Sequence, residues 1–290
     1  MKILVLGAGG MLGHMVGCFL KEKYGSRVVL AARRQTGYPF LDDGLELIDL
    51  CDHTRLRELI ARHRPCTVIN CAAINDPQKG EGFMLAVNSQ LPLEIASFLD
   101  TAKDGSRLIH ISTDGVFHGD RGSYNEGDVP DAQDAYGQSK MAGEVTRSPH
   151  LTVRTSIIGP DPLNARGLMH WFFSQRGVVH GFTRVFWNGV TTLELAKFID
   201  LAVERGITGL YHLCSQRISK YELLITLKDV FNKDVIVHQD GHLSVDHSLV
   251  SKRSEVDYKV PNIDRMVNEL KIWMLEHPKV YQANGFRPSG

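Results

Sequence analysis

Residues 2–6, KILVL, run without a break into Gly7-Ala8-Gly9-Gly10-Met11-Leu12-Gly13, and no other stretch constrains the fold as strongly. An apolar run with no polar alternation reads as a strand buried on both faces. The glycines permit a tight turn, and Met11–Tyr24 then carries helical spacing that stops at Gly25. The same alternation recurs downstream. Strands are expected over 27–32, 66–72, 107–112 and 151–154, and helices over His53–His63, 83–103 and 135–146. Strands alternating with helices need right-handed βαβ crossovers, so the expected fold is α/β: a Rossmann-type, doubly wound parallel sheet.

Beyond residue 155 the rhythm loosens. Gly159, Pro160 and Pro162 mark loops, a short helix is expected near 168–175, and Thr191-x-x-Glu194 and Ser219-x-x-Glu222 open two more as capping boxes. A strand is expected over 209–213 and a final helix over 262–275. The predicted layout is a dinucleotide-binding domain over 1–155 and a smaller, mostly C-terminal α/β substrate lobe over 156–290, with some segments returning to the first domain.

Composition excludes several classes. The 290 residues hold 33 basic and 33 acidic side chains and 43% hydrophobic residues, which argues against disorder and against a nucleic-acid partner. Five cysteines without a C-x-x-C pair read as reduced residues of a cytoplasmic protein. Residues 3–20 carry only one polar side chain, His14, but five glycines interrupt them and the strand is far shorter than the roughly 20 residues a membrane span needs. A signal peptide would want a charged leader, a longer apolar run and a cleavage site. A soluble protein with no membrane partner is expected.

The strict G-x-G-x-x-G spacing fails, because Leu12 occupies its third position; G-x-x-G-x-x-G holds at Gly7, Gly10 and Gly13. Between a strand and a helix, such a loop brings backbone close to a pyrophosphate, whose charge the helix N-terminus favours. This makes Gly7, Gly10, Met11, Leu12 and Gly13 candidate cofactor-binding residues. After the second strand the chain reads Ala31-Ala32-Arg33-Arg34, with no acid before Asp42. An acid there would suit the ribose 2′-hydroxyl of NAD; an arginine suits a 2′-phosphate. NADPH is therefore expected over NADH, through Arg33 and Arg34, the plainer alternative being two solvated charges.

Tyr136-Gly-Gln-Ser-Lys140 opens a predicted helix, where i, i+4 spacing puts both side chains on one face. A neighbouring ammonium is expected to lower the tyrosine pKa and fit it for proton transfer. Thr113, at the carboxyl end of the strand before it, can donate to the same carbonyl oxygen.

With these residues in place the chain resembles the extended short-chain dehydrogenase/reductase family, nearest to nucleotide-sugar reductases of the dTDP-4-dehydrorhamnose type. The matching text is GAGGMLGH (7–14), DLCD (49–52), NCAAI (70–74), AVNSQLP (86–92), STDGVFHG (112–119), YGQSK (136–140) and RTSIIG (154–159). The resemblance implies a catalytic set of Thr113, Tyr136 and Lys140 with Asn88 in support. It also implies that Asp49 and Leu50 lie against the adenine, that Cys71, Ala72 and Ala73 line the cofactor, and that Lys140 holds the nicotinamide ribose. The implied reaction is NADPH-dependent reduction of a keto group, at C4 of a nucleoside-diphosphate 4-keto-6-deoxy sugar, by a protein that forms homodimers.

Two departures fall on the substrate side: Gly115 where the family usually has tyrosine, next to Val116, and Ile157 where it usually has tryptophan. Trp171 and Trp187 either line the substrate lobe or form its core. An epimerase retaining its nicotinamide and a non-catalytic NADP-binding regulatory subunit are the rival readings. Dehydration lacks the acid that usually follows Thr113-Asp114, since Gly115 stands there. His238 and His242 read as surface histidines on a strand and turn, Arg184 as surface charge, and no metal site is expected.

Overall fold

The structure, a computed structural model, describes residues 1–281. The chain forms two compact units. The first comprises 1–118, 129–154 and 196–211; the second comprises 119–128, 155–195 and the chain from His212 on.

The first unit runs β1 Ile3–Leu6, α1 Met11–Tyr24, β2 Val28–Ala32, α2 Pro39–Asp42, β3 Glu46–Leu47, α3 His53–His63, β4 Thr67–Asn70, α4 Glu81–Leu85, α5 Leu91–Ala102, β5 Arg107–Thr113, α6 Ala135–Ala142 and β6 Leu151–Thr155. After β7 Ile157–Ile158, α7 Gly167–Ser174, β8 Gly177–Phe182, β9 Val185–Trp187 and β10 Val190–Thr191 in the second unit, the chain returns through α8 Thr192–Arg205 and β11 Gly209–His212. The seven strands lie in the order β11-β6-β5-β4-β1-β2-β3, and the pairings from β5 through β3 are parallel.

Strand order reverses between β4 and β1, which opens a crevice at their carboxyl ends, where such sheets take ligands. Leu6 is opposite Asn70, and the next residue, Cys71, donates its N–H to Leu6 O at 3.1 Å. Every residue of β1 is fully buried, as its unbroken apolar text requires. Leu56, Leu59 and Ile60 of α3 and Leu91, Ile95 and Leu99 of α5 cover one sheet face together with Leu4, Leu6, Val68 and Leu108.

Two helices differ from expectation. The helix expected over 83–103 is α4 and α5 joined through one π-helical turn, Ala86–Gln90, which carries Asn88. The helix expected over 135–146 ends at Gly143, where a Cβ would lie 2.0 Å from Asn88 O. That close packing decides the boundary over local propensity.

The second unit continues with β12 Ile218–Ser219, α9 Lys220–Phe231, β13 Val235–Asp240, β14 Val245–Asp246, α10 Ile263–Glu276 and α11 Pro278–Tyr281. The α9 capping box forms with both halves present, and Thr191 Oγ1 accepts from Glu194 N at 3.2 Å at the start of α8. The helix expected to be last, α10, is followed by the four-residue α11. The β8–β13 pair is parallel, with Val178 opposite Ile236 and His180 opposite His238. Among the described residues no helix is long and apolar enough to cross a membrane.

Candidate active site

The glycine turn at the end of β1 leaves no room for side chains. Gly7 has φ +79°, and a Cβ there would sit 2.9 Å from Ala72 N; a Cβ on Gly13 would sit 2.0 Å from Gly7 O. Gly7 N and Ala8 N both donate to Ala31 O at 3.0 Å, so β2 anchors the turn. Gly10 caps α1 without a side chain, and the first-turn N–H groups gather at one point. Bare backbone around a helix N-terminus fits a pyrophosphate. Met11 is half-buried and Leu12 buried, so the latter can offer a ligand only its backbone.

Arg33 and Arg34 are exposed directly beyond β2. Asp49 is exposed and its Oδ1 accepts from Cys51 N at 3.0 Å, while Leu50 packs against the first unit's core. Cys71 and Ala72 are half-buried and Ala73 is exposed. Burial pushes the Cys71 thiol up to about 12, so it packs as a neutral group.

Asp134 starts α6 as its N-cap, accepting from Gly137 N at 2.9 Å, and this cap sets the rotation that places Tyr136 and Lys140. A Cβ on Gly137 would lie 2.2 Å from Gly115 O, so only glycine lets the first turn of α6 meet the turn after β5. Thr113 heads that turn, accepting from Gly115 N at 3.1 Å and donating to Asp114 Oδ1 at 3.1 Å.

The Tyr136 phenol is pushed up to about 12, first by burial and then by the Asp114 carboxylate; nearby Thr113 acts the other way. The expected lowering by Lys140 is therefore not what this environment produces. Lys140 is almost wholly buried, its Nζ donates to Ile111 O at 2.6 Å, and burial pulls it down to about 8. Tyrosine is thus held as a phenol, a proton donor, at neutral pH.

Asn88, in the π-turn, fixes both flanks. Its Nδ2 donates to Ile74 O at 2.8 Å and to Ser139 Oγ at 2.9 Å, and its Oδ1 accepts from Ile74 N at 2.8 Å. Ser139 Oγ donates in turn to Tyr136 O at 2.8 Å. Thr113, Tyr136, Lys140 and Asn88 are therefore brought together in the first unit.

Sequence reasoning missed Asp134, Ser139 and the buried Ser112–Glu144–Arg154 group. In that group Glu144 accepts from Ser112 Oγ at 2.7 Å and from Arg154 Nε and Nη2 at 2.8 and 2.7 Å. Asp134 alone had a local signal, an Asp three residues before Gly137 at a helix start.

On the substrate side, Gly115 is half-buried and Val116 fully buried. In the second unit Ile157 is half-buried on β7, Trp171 is 42% exposed and Trp187 is 3% exposed. The two tryptophans thus part: Trp187 is core and Trp171 is surface. Arg184 is exposed; His238 lies on β13, and His242 Nδ1 meets Asp240 Oδ1 at 2.5 Å just beyond it.

Comparison with known proteins gives the same direction. The chain is 31% identical to a dTDP-4-keto-6-deoxy-D-glucose reductase of Streptomyces niveus over 220 residues, 72% of this chain and 71% of that one. It is 30% identical to the methionine adenosyltransferase 2 subunit beta of Bos taurus over 256 residues, 80% of this chain and 72% of that one. Its fold is similar to that of a dTDP-4-dehydrorhamnose reductase from Bacillus anthracis solved in complex with NADP, with a TM-score of 0.77 at 21% identity, covering 94% of this chain and 99% of the other. The family model of the RmlD substrate binding domain matches residues 1–246. With most of its length under that match and its glycine turn, Thr113, Tyr136 and Lys140 assembled on one α/β unit, the chain belongs to the RmlD substrate binding domain family.

Proposed function

We propose that the protein reduces the C4 keto group of a nucleoside-diphosphate 4-keto-6-deoxy sugar with NADPH. The observation that carries this reading is Tyr136 placed one helical turn before buried Lys140, with Thr113 acting on its phenol. The activity for which the Streptomyces niveus relative is named and the NADP of the Bacillus anthracis structure support it.

The glycine turn takes the pyrophosphate, Arg33 and Arg34 the 2′-phosphate, Asp49 and Leu50 the adenine side, and Cys71, Ala72 and Ala73 the approach to the nicotinamide. The cofactor, when bound, supplies the hydride. Thr113 holds the substrate's carbonyl oxygen and Tyr136 gives it the proton. A phenol held near 12 is protonated across the working range, so it serves as the acid of a reduction. Lys140 holds the ribose, and Asn88 keeps α6 in register. In the first unit the substrate-facing candidate is Gly115, next to buried Val116; in the second, taken by itself, the candidates are half-buried Ile157 and exposed Trp171, Trp187 being core.

The test is NADPH consumption with dTDP-, GDP- and CDP-linked 4-keto-6-deoxy sugars, with NADH in parallel. Turnover on one of them is expected, and Tyr136→Phe loses about 10²–10⁴-fold in rate while still binding NADPH. A variant retaining more than about a tenth of the rate refutes the assignment of the acid. The match to the methionine adenosyltransferase subunit favours one second reading, a regulatory subunit. Silence on every sugar with NADPH binding intact, and stoichiometric capture of a partner enzyme, would select it.

A further inference from the structure

Beneath the Tyr136–Lys140 face run three buried polar side chains: Asn70 at the end of β4, His110 on β5 and Lys140 on α6, none more than 1% exposed. Ala72 N donates to Asn70 Oδ1 at 3.1 Å, Asn70 Nδ2 meets His110 Nδ1 at 3.2 Å, and His110 Nε2 meets Lys140 Nζ at 3.3 Å.

The polarity of this line is set from one end. A backbone N–H only donates, so Asn70 must turn its oxygen to Ala72 and its NH₂ to His110. Flipping the amide would aim NH₂ at the Ala72 N–H. His110 Nδ1 must therefore accept, and a neutral imidazole then carries its only hydrogen on Nε2, facing Lys140. A charged imidazole would set Nδ1–H against Asn70 NH₂. Burial and the lysine both drive His110 well below the ordinary histidine value, which keeps it neutral.

An ammonium has no lone pair to meet Nε2–H, whereas an amine has one and still donates to Ile111 O. We propose that His110 is a positioning residue that presents its Nε2–H to Lys140 Nζ and biases that lysine toward its amine form. The other groups acting on Lys140 are Glu144, just past the end of α6, and Cys71 beyond β4, and both favour the charged form. Arg154 occupies both Glu144 oxygens and moderates the first of these, while the Cys71 thiol stays neutral. Burial favours the amine, bringing the lysine to about 8. Lys140 can then exchange a proton close to working pH, where an ordinary lysine stays charged.

The significance for turnover rests on the ketoreductase reading, but the test needs no substrate and so fails or succeeds separately from it. In the full-length protein labelled with ¹⁵N-histidine and ¹³C-lysine, NMR reads the His110 tautomer and the Lys140 titration, with His110→Gln and Lys140→Met assigning the signals. The expected wild-type result is an Nε2–H tautomer and a Lys140 midpoint near 8.

Asn70→Asp reverses the line. A carboxylate accepts from both Ala72 N–H and His110 Nδ1–H, moves the imidazole hydrogen to Nδ1, and turns a lone pair toward Lys140. Its midpoint then rises toward 10.5. His110→Gln, with its oxygen to Asn70 and its NH₂ to Lys140, keeps the wild-type midpoint. An Nδ1–H tautomer in the wild type overturns the proposal without any variant. So does an Asn70→Asp protein that folds and leaves both tautomer and midpoint unmoved.

Discussion

Gly13→Ala tests whether the turn after β1 is built on close backbone approach. The added Cβ would lie 2.0 Å from Gly7 O, 2.6 Å from Gly7 C and 2.9 Å from Ala8 Cα, against an ordinary contact of 3.4 Å or more. The shortfall to the oxygen is thus 1.4 Å, and all three neighbours are backbone. Gly7 itself cannot recoil freely, since its N–H is bonded to Ala31 O and it lies so near Ala72 that a Cβ on it would be 2.9 Å from Ala72 N. Overpacking of this kind costs about 1–3 kcal/mol. The displaced atoms are those that would meet the pyrophosphate, so NADPH affinity falls by about tenfold or more, roughly 1.4 kcal/mol.

Gly17→Ala is the control. It lies one turn further along α1, where the new Cβ meets only side-chain carbons, of Leu30 at 3.1 and 3.2 Å and of Leu41 at 3.4 Å. Methyl groups can yield, so this variant loses some stability but keeps NADPH binding. Fluorescence titration with NADPH and thermal melts of both variants read the difference. Wild-type affinity in Gly13→Ala, or an equal loss in both variants, refutes the reasoning.

Glu144→Ala leaves Arg154 buried without its counter-charge; the two side chains are 7% and 4% exposed, so solvent screens them little. A loss of about 3–5 kcal/mol in urea unfolding is expected, and a loss below about 1 kcal/mol counts against it. His14 is fully buried, and burial lowers it from 6.5 to about 4, so the unfolded chain binds the proton first as pH falls. Its contribution is complete above pH 6.5 and is lost toward pH 4, about 3 kcal/mol in all; urea unfolding across that window should show the slope, and His14→Gln should flatten it. Arg33→Ala with Arg34→Ala should weaken NADPH by about tenfold or more and leave NADH unchanged in the same titration; an equal change for both cofactors removes the arginines from the 2′-phosphate.

What the sequence made legible is what local spacing determines. Gly7, Gly10 and Gly13 act within one turn, and Tyr136 and Lys140 within one helical turn, so their geometry follows from chain order. The α9 capping box was readable because Ser219 and Glu222 satisfy each other across three residues. The π-turn at Asn88 was not, because its contacts reach Ile74, 14 residues back, and Ser139, 51 residues on. Nor were Asn70, His110 and Lys140, joined over separations of 40 and 30 residues. Strands such as β3, β7, β10, β12 and β14 are two residues long, too short for any alternation to register.

The long-range contacts that sequence concealed are also the part of the site hardest to explain as packing. Asn70, His110, Lys140, Asn88, Ser139 and Arg154 are all nearly or fully buried in the first unit. A buried amine or guanidinium destabilises a fold unless its partners are placed well, and apolar residues of similar size often serve stability better. The candidate dinucleotide site is the glycine turn, the N-terminus of α1 and Arg33 with Arg34, all lying along β1, α1 and β2 or directly beyond β2. It does not need a lysine buried on α6, aligned through Asn88 and Ser139 with the tyrosine one turn earlier. Asn88 reaches both Ile74 and Ser139 only because the helix opens into a π-turn at that point, a departure that occurs often at functional sites. The arrangement spends structure on keeping Tyr136 a phenol and bringing Lys140 close to its titration range at working pH. That expense is intelligible for a group that moves a proton, and it weighs toward a catalyst over a chain that only binds its nucleotide.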